Sequence, residues 1–128
     1  MDARGGILHV EDDPSLQKLV RVALEQLGGY TVCTAASGAE ALALAGRFAP
    51  RLLLLDLDLP DMSGIATLRA LRALPGLAEV PAVLLTAARD PGVQAELTSL
   101  GVREILHKPF RPRLLVQAVN RVLAGGGQ

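Results

Sequence analysis

The chain alternates between short apolar runs and longer segments of helical periodicity, and this alternation constrains its fold more than any other feature. In the longer segments, apolar residues recur every three or four positions, as on one face of a helix. The five apolar runs of strand length cover residues 7–10, 30–35, 52–55, 82–85 and 102–106. Because parallel strands need crossovers, and right-handed crossovers place helices on both faces of a sheet, the pattern predicts a doubly wound α/β fold with five parallel strands and five helices.

Boundary signals locate the helices between these strands. Asp13 before Pro14 predicts the start of the first helix, and Ser37 with Glu40 has the spacing of a capping box that opens the second. The first two helices are expected to end at Gly28–Gly29 and near Phe48, and the other three are predicted over about residues 64–74, from Asp90–Pro91 onward and over 112–123. The run 52–55 is apolar without alternation, which predicts the centre of the sheet, whereas the more polar run 102–106 predicts a strand near an edge.

Length and composition limit the classes of protein that fit. The 128 residues suit one domain, expected over 1–124, with a flexible glycine-rich tail over 125–128. Thirteen basic and thirteen acidic residues give no net charge, so we expect neither nucleic acid nor an anionic membrane as a direct partner. The single Cys33 forms no internal disulfide, and the amino terminus has no apolar core typical of secretion signals. We therefore expect a cytoplasmic protein.

The zero net charge conceals an asymmetry between the two halves of the chain. Residues 1–64 contain nine acidic and five basic residues, a net charge of −4, and the second half carries +4. Six of the nine acids fall within residues 11–13 and 56–61. Such clustering is unfavourable unless a positive charge joins the acids.

Polar residues follow four of the predicted strands, at the edge where doubly wound sheets bind ligands. Glu11, Asp12 and Asp56 offer the oxygen ligands that Mg²⁺ prefers. Lys108 supplies charge and Thr86 a hydroxyl donor, which together suit a tetrahedral anion such as a phosphoryl group. Since an aspartate beside a cation can act as a nucleophile, Asp56 is the candidate covalent acceptor.

Each of these residues also has a purely structural interpretation. Asp13 is an ordinary helix cap, and Asp residues at 56, 58 and 61 are common turn formers around a proline. His9 and His107 have no second ligand at metal spacing, so a structural role is predicted for both, and Cys33 is predicted to be a small buried strand residue. The joint occurrence of polar residues at the ends of four strands favours a functional site.

Four motifs, in order along the chain, resemble the receiver domain of bacterial two-component response regulators, a chemotaxis-type, flavodoxin-like domain. They are residues 7–14 (ILHVEDDP), 56–64 (DLDLPDMSG), 84–87 (LLTA) and 108–110 (KPF). The resemblance covers essentially the whole chain. It implies a phosphorelay function, in which a sensor histidine kinase or a phosphotransfer protein donates the phosphoryl group and a downstream effector reads it; a phosphorylation-dependent homodimer is left open.

The resemblance also implies roles for individual residues. Asp56 is the implied phosphoacceptor, and the implied Mg²⁺ ligands are Asp12, Asp56, the backbone carbonyl of Asp58 and, through water, Glu11, with Asp13 following that acidic pair. Thr86, the backbone amide of Ala87 and Lys108 would meet the phosphoryl oxygens, and the Lys108–Pro109 peptide bond is a candidate for the cis isomer. The domain would assist only its own phosphorylation and dephosphorylation, so no turnover of a separate substrate is expected.

One position departs from the family pattern. The aromatic residue that carries the family's switch falls three positions before the lysine, and here that position holds Ile105. We hypothesise that Thr86 still moves on phosphorylation and that aliphatic packing passes the signal to the face formed by helix 4, strand 5 and helix 5.

A phosphohydrolase is the main alternative. Asp56 and Asp58 after a leucine run also resemble the opening motif of haloacid dehalogenase-type enzymes, in which the second aspartate is the acid/base. In that family, however, the motif follows the first strand, whereas here other acids come first and the chain has no room for a cap domain. The sequence leaves open whether the domain acts alone or within a larger protein.

Overall fold

The computed structural model describes residues 6–57, 59, 61, 63–87 and 94–125. The strands within these ranges are β1 (Gly6–Val10), β2 (Thr31–Ala35), β3 (Leu52–Asp56), β4 (Ala82–Thr86) and β5 (Val102–His107). The helices are α1 (Pro14–Val22), which continues into a π-helical turn (Ala23–Leu27), α2 (Gly38–Phe48), α3 (Gly64–Arg72), α4 (Gln94–Ser99) and α5 (Pro112–Gly125). The predicted α/β fold is confirmed.

The five strands form one parallel sheet in the order β2-β1-β3-β4-β5. As predicted, β3 lies at the centre and β5 at an edge. Val10 pairs with Leu55, Asp56 with Leu85, and Thr86 with His107, so the carboxyl ends of β1, β3, β4 and β5 reach the same edge of the sheet. This register brings the predicted site residues together.

Two apolar layers cover the sheet, which explains why the central strands are continuously hydrophobic. Alternate residues of each strand point into opposite layers. On one face, strand residues pack with the first and last helices, as in the cluster of Ile7, Leu54, Leu85, Val20, Leu115 and Val119. On the other face, they pack with the middle helices, as in the cluster of Leu8, Leu55, Leu84, Ala41, Leu68 and Leu97.

The predicted caps of the first two helices are present. The Asp13 carboxylate accepts a hydrogen bond from the Ser15 amide at 2.9 Å. The Ser37 hydroxyl accepts from the Glu40 amide at 3.1 Å, and the Glu40 carboxylate accepts from the Ala36 amide at 2.6 Å. Both helices thus begin where side chains satisfy amides that have no partner within the helix.

Some element boundaries differ from the sequence prediction. α3 ends at Arg72, two residues earlier than predicted, because the Ala73 and Leu74 amides bond to carbonyls three residues back and tighten the last turn. α5 continues to Gly125, so the first residue of the predicted tail is helical, and the rest of the tail lies outside the described residues. The start signal at residues 90–91 also lies outside them.

Cys33, predicted to be buried, is only partly buried because β2 is an edge strand whose side chains reach the border of the core. Over the part of the chain that the structure describes, no helix combines the length and apolarity required to span a bilayer.

Candidate functional site

Asp56 lies at the centre of the site, as the last residue of the central strand, and is 2% exposed. The backbone just after it is fixed on two sides, since the Leu57 amide donates to the Leu85 carbonyl at 2.9 Å and the Gly64 amide donates to the Leu57 carbonyl at 2.8 Å. A Cβ on Gly64 would lie 2.5 Å from the Asp56 carbonyl oxygen. Only glycine therefore lets the start of α3 pack this closely against the end of β3.

Glu11 reaches the same edge from β1 and is 1% exposed. Its carboxylate Oε2 accepts a hydrogen bond from the Asp13 amide at 3.2 Å, and its backbone carbonyl accepts from the Gln17 side chain at 2.5 Å. Its amide donates to the Ala35 carbonyl of β2 at 2.9 Å. The residue is thus held by α1 on one side and by the neighbouring strand on the other.

Three carboxylates form an acidic cluster at this edge. Glu11, Asp12 and Asp56 each place one oxygen within 4.8 Å of the others; the first and last are buried, and Asp12 is exposed. Burial first, and then the charge of Asp56, raise the pKa of Glu11 to about 7. A hard divalent cation would relieve this repulsion, and the all-oxygen donor set fits Mg²⁺.

Two other predicted metal residues stand apart from this cluster. Asp13 caps α1 with its side chain and holds Glu11 through its backbone amide, so the structure gives it the structural role weighed above. The Asp58 carbonyl, the backbone ligand implied by the resemblance, lies outside the described residues.

Lys108 brings a positive charge to the acids from the loop after β5. Its Nζ lies 3.1 Å from Asp56 Oδ2 and 3.7 Å from Glu11 Oε1, and its side chain is 25% exposed. Its backbone amide donates to the Thr86 carbonyl at 2.8 Å, and the Lys108–Pro109 peptide bond is cis, as the resemblance implies. The ammonium group thus contacts buried carboxylates while keeping access to solvent.

The predicted hydroxyl and switch residues lie on the side of β4 and β5. Thr86 is fully buried at the end of β4, and Ala87, the next residue, is exposed. Ile105 pairs with Leu84, two residues before Thr86 in the same strand. It is partly buried and packs on the apolar layer that contains Leu84 and Leu97 of α4. Aliphatic side chains of β4, β5 and α4 therefore lie in one apolar layer.

Asp61 is predicted from sequence only as a turn former, but its carboxylate contacts the start of α2. Oδ1 accepts from the Gly38 amide and Oδ2 from the Ala39 amide, each at 3.0 Å. These contacts tie the loop after β3 to the positive end of the α2 dipole. Because the partners lie more than twenty residues apart in sequence, no local pattern indicates the contact.

His9 was predicted to be structural, and its environment is unusual for that role. It is fully buried, and burial, followed by the charges of Lys108 and Arg21, lowers its pKa to about 3, so the imidazole is neutral. Among the described residues, neither ring nitrogen has a hydrogen-bond partner, and the same is true of Glu11 Oε1. Burial of such groups normally costs about 1–3 kcal/mol each.

A parallel sheet that ends in clustered acids, a lysine and a buried hydroxyl points to the phosphate-accepting domains of signalling proteins. Comparison of sequences makes the assignment specific. Residues 7–120 match the response regulator receiver domain, and the chain therefore belongs to that family. It is a phosphoacceptor signalling domain of the two-component type. The phosphohydrolase alternative is not supported, because the family match extends over nearly the whole chain.

Individual relatives agree with this assignment. The chain is 39% identical over 117 residues to the DNA-binding response regulator MtrA of Mycolicibacterium smegmatis, covering 91% of this chain and 50% of that protein. The chain thus spans about half the length of this relative.

Two solved structures are similar throughout. The chemotaxis protein CheY4 of Vibrio cholerae is 32% identical, with a TM-score of 0.87 over 94% of this chain and 99% of that one. The receiver domain of the sensor histidine kinase PA1611 of Pseudomonas aeruginosa is also 32% identical, with a TM-score of 0.84 over 96% and 100% of the two chains, and that structure has a magnesium ion in its active-site cleft.

Proposed function

We propose that Asp56 accepts a phosphoryl group from the phosphohistidine of a sensor histidine kinase or phosphotransfer protein, with Mg²⁺ as cofactor. The observation that carries this proposal is the position of the Lys108 ammonium, 3.1 Å from Asp56 within a cluster of three carboxylates. Lys108 offsets part of the negative charge of the three carboxylates, and a metal ion would offset more of it. Asp56 could then accept a phosphoryl group, which adds further negative charge.

The transfer needs positioning more than it needs proton chemistry. A carboxylate oxygen of Asp56 forms a bond to phosphorus, the bond between phosphorus and the donor histidine nitrogen breaks, and the leaving imidazole takes up a proton. Asp56 is held for this attack by the hydrogen bonds of the following backbone and by the close packing of Gly64. Such fixed geometry accounts for a large share of catalysis in phosphoryl transfer.

Glu11, Asp12 and Asp56 are the residues proposed to hold Mg²⁺, together with the backbone carbonyl of Asp58. When bound, the ion would supply charge neutralisation for the carboxylates and the incoming phosphoryl oxygens. The acids that lie within 4.8 Å of each other support this assignment, as does the magnesium in the cleft of the P. aeruginosa receiver domain.

Three groups are proposed to bind the phosphoryl oxygens on the side of β4 and β5. Lys108 supplies charge, Thr86 a hydroxyl donor and Ala87 a backbone amide. Lys108 and Thr86 are already joined by the hydrogen bond between their backbones at 2.8 Å, so a shift of one strand end is communicated to the other. These donors favour the acyl phosphate once it has formed.

The phosphodonor protein is proposed to approach over a groove beside Lys108. The groove has a volume of about 530 Å³ and lies between α1 and the loop after β5. Leu16, Leu19 and Phe110 give it apolar walls, and Leu19 is 37% exposed. Apolar groups next to a polar reaction centre suit a protein partner better than a small molecule alone.

The output is proposed to pass through Thr86 and Ile105 to the face formed by α4, β5 and α5. Ile105 packs on the same apolar layer as Leu97 of α4, so a shift at the end of β4 reaches α4 without an aromatic switch. A downstream effector protein or domain, or a second copy of the receiver, would read this face. We place the reaction in the cytoplasm, where the ATP that charges histidine kinases is available.

Beryllofluoride, a mimic of the phosphoryl group, tests this assignment directly. With Mg²⁺ it should shift the amide NMR resonances of residues 56, 86, 87 and 108 in the wild-type chain, followed by those around Ile105. Asp56→Asn should show neither set of shifts. Shifts of equal size in the variant would contradict the role of Asp56, and an unchanged region around Ile105 would contradict the proposed output path.

A further inference from the structure

His9 is a buried polar residue that the proposed phosphoryl transfer does not use. It lies in β1 two residues before Glu11, and because successive strand residues alternate, both side chains point to the same face of the sheet. Ile7 and Leu54 belong to the apolar cluster on this face. His9 therefore occupies the boundary between the apolar core and the acidic cluster.

The two side chains leave complementary atoms facing each other. His9 Nε2 lies 4.0 Å from Glu11 Oε1, and His9 and Glu11 are 0% and 1% exposed. Among the described residues, neither atom has a hydrogen-bond partner, and the Lys108 Nζ lies 3.7 Å from the same Oε1. A hydrogen bond would need an approach of about 1 Å.

The tautomer of the histidine determines whether it acts as the donor. A neutral imidazole carries one N–H, and its tautomer is set by the acceptor that its ring nitrogens meet. Nε2 faces Glu11, so when the carboxylate is ionised a proton on Nε2 pairs a donor with an acceptor, whereas a proton on Nδ1 leaves Nε2 and Oε1 facing each other as two acceptors.

We propose that His9 is a positioning residue, whose Nε2–H donates to Glu11 Oε1 and fixes the orientation of that carboxylate toward the metal. Oε2 of the same carboxylate is already held by the Asp13 amide at 3.2 Å, so the two contacts together would define both oxygens. Outer contacts of this kind orient the groups that surround metals, and their removal typically weakens metal affinity by roughly 10–100-fold. This inference rests on the proposed Mg²⁺ site.

A set of three variants separates positioning from packing. His9→Leu keeps an apolar side chain of similar size but removes the donor, and His9→Gln keeps an amide donor. Leu8→Val is the matched control, because Leu8 is fully buried on the opposite face of the same strand. We expect His9→Leu to bind Mg²⁺ about tenfold more weakly. Its urea midpoint should change less than that of Leu8→Val, because loss of the Nε2–H contact is offset by removal of the unpaired Nδ1.

His9→Gln should restore most of the affinity, and Leu8→Val should lower stability with no effect on the affinity. Mg²⁺ affinities come from titrations followed by amide chemical shifts, and stabilities from urea unfolding. Wild-type affinity in His9→Leu, or a loss of affinity that parallels the loss of stability in all three variants, would overturn the proposal.

A measurement in the absence of metal tests the hydrogen bond between His9 and Glu11 itself. In protein with ¹⁵N-labelled histidine, the two imidazole signals are assigned with His107→Gln, because the chain has two histidines. Above pH 7, where the Glu11 carboxylate is ionised, the His9 signal should be that of the Nε2–H tautomer, and its Nε2 proton should shift in Glu11→Ala. An Nδ1–H tautomer would overturn the inference. If wild-type chain with the expected tautomer takes up no Mg²⁺, the proposed metal site is wrong while the hydrogen bond stands.

Discussion

The ammonium nitrogen of Lys108 lies 3.1 Å from Oδ2 of Asp56, although Asp56 ends β3 and Lys108 lies in the loop after β5. The lysine is 25% exposed and the aspartate side chain only 3% exposed, so the charge reaches from solvent into a buried acidic pocket. The proposed acceptor is therefore paired with a cation before any phosphoryl group arrives.

This pair predicts that Lys108→Ala separates phosphorylation from response. Asp56 remains in place in the variant, so acetyl phosphate with Mg²⁺ should still label the chain. The response should fail, because the cation that draws the phosphoryl group toward the β4–β5 side is missing. Amide shifts around Thr86 and Ile105 measure this response at equal labelling. Lys18→Ala, on the exposed side of α1, is the control, and shifts of wild-type size in Lys108→Ala would rule out the proposed role.

The raised pKa of Glu11 predicts how stability depends on pH in the metal-free protein. The pKa of Glu11 is about 7 in the folded protein, whereas the ordinary value for a glutamate is 4.5. Between these two pH values, the folded state binds more protons than the unfolded state. The contribution of Glu11 to the free energy of unfolding should therefore fall as the pH rises through this window. Urea unfolding of wild type and Glu11→Gln in EDTA isolates this contribution as a difference. A difference that grows with pH would show that the site lowers the pKa instead.

Asp61 should stabilise α2 from a distance in sequence. Its carboxylate accepts hydrogen bonds from two amides at the start of that helix, so Asp61→Ala should lower the free energy of unfolding by about 1 kcal/mol, as loss of a helix cap does. Glu79→Ala, which removes an exposed acid elsewhere on the surface, should have a smaller effect. Equal effects in urea unfolding would remove the capping role.

The groove beside Lys108 predicts a different effect for protein and small-molecule phosphodonors. Leu19→Glu places a charge on its apolar wall and should slow transfer from a phosphorylated kinase core by roughly tenfold, the size expected for one important interface residue. Labelling by acetyl phosphate should be unaffected. Leu27→Glu, at a leucine that is 64% exposed in the π-helical turn, is the control. If the two variants transfer at the same rate, the donor does not use this groove.

The sequence predicts the sheet and the main site because both depend on local signals. Strand periodicity and helix caps such as Asp13 and Ser37 involve neighbours in the chain, and parallel topology brings the strand ends to one edge. The juxtaposition of Glu11, Asp56 and Lys108 at this edge therefore follows from the strands that local signals predict and from their parallel order.

Other features depend on contacts that no local pattern contains. The Asp61 carboxylate meets amides more than twenty residues away, and the end of α3 depends on how its last turn tightens. In the sequence, His9 looks like an ordinary strand residue. Only the packed structure shows that, among the described residues, neither of its ring nitrogens has a hydrogen-bond partner. Tertiary contact thus decides the details around a site whose position the sequence already predicts.

The most direct test of the central claim is the intact mass of the chain after incubation with acetyl phosphate and Mg²⁺. The proposed function predicts the addition of one phosphoryl group to the wild-type chain and none to Asp56→Asn, whereas Asp61→Asn, with its acid in the same loop, should be labelled like wild type. An adduct that persists in Asp56→Asn would contradict the assignment of Asp56 as the phosphoacceptor.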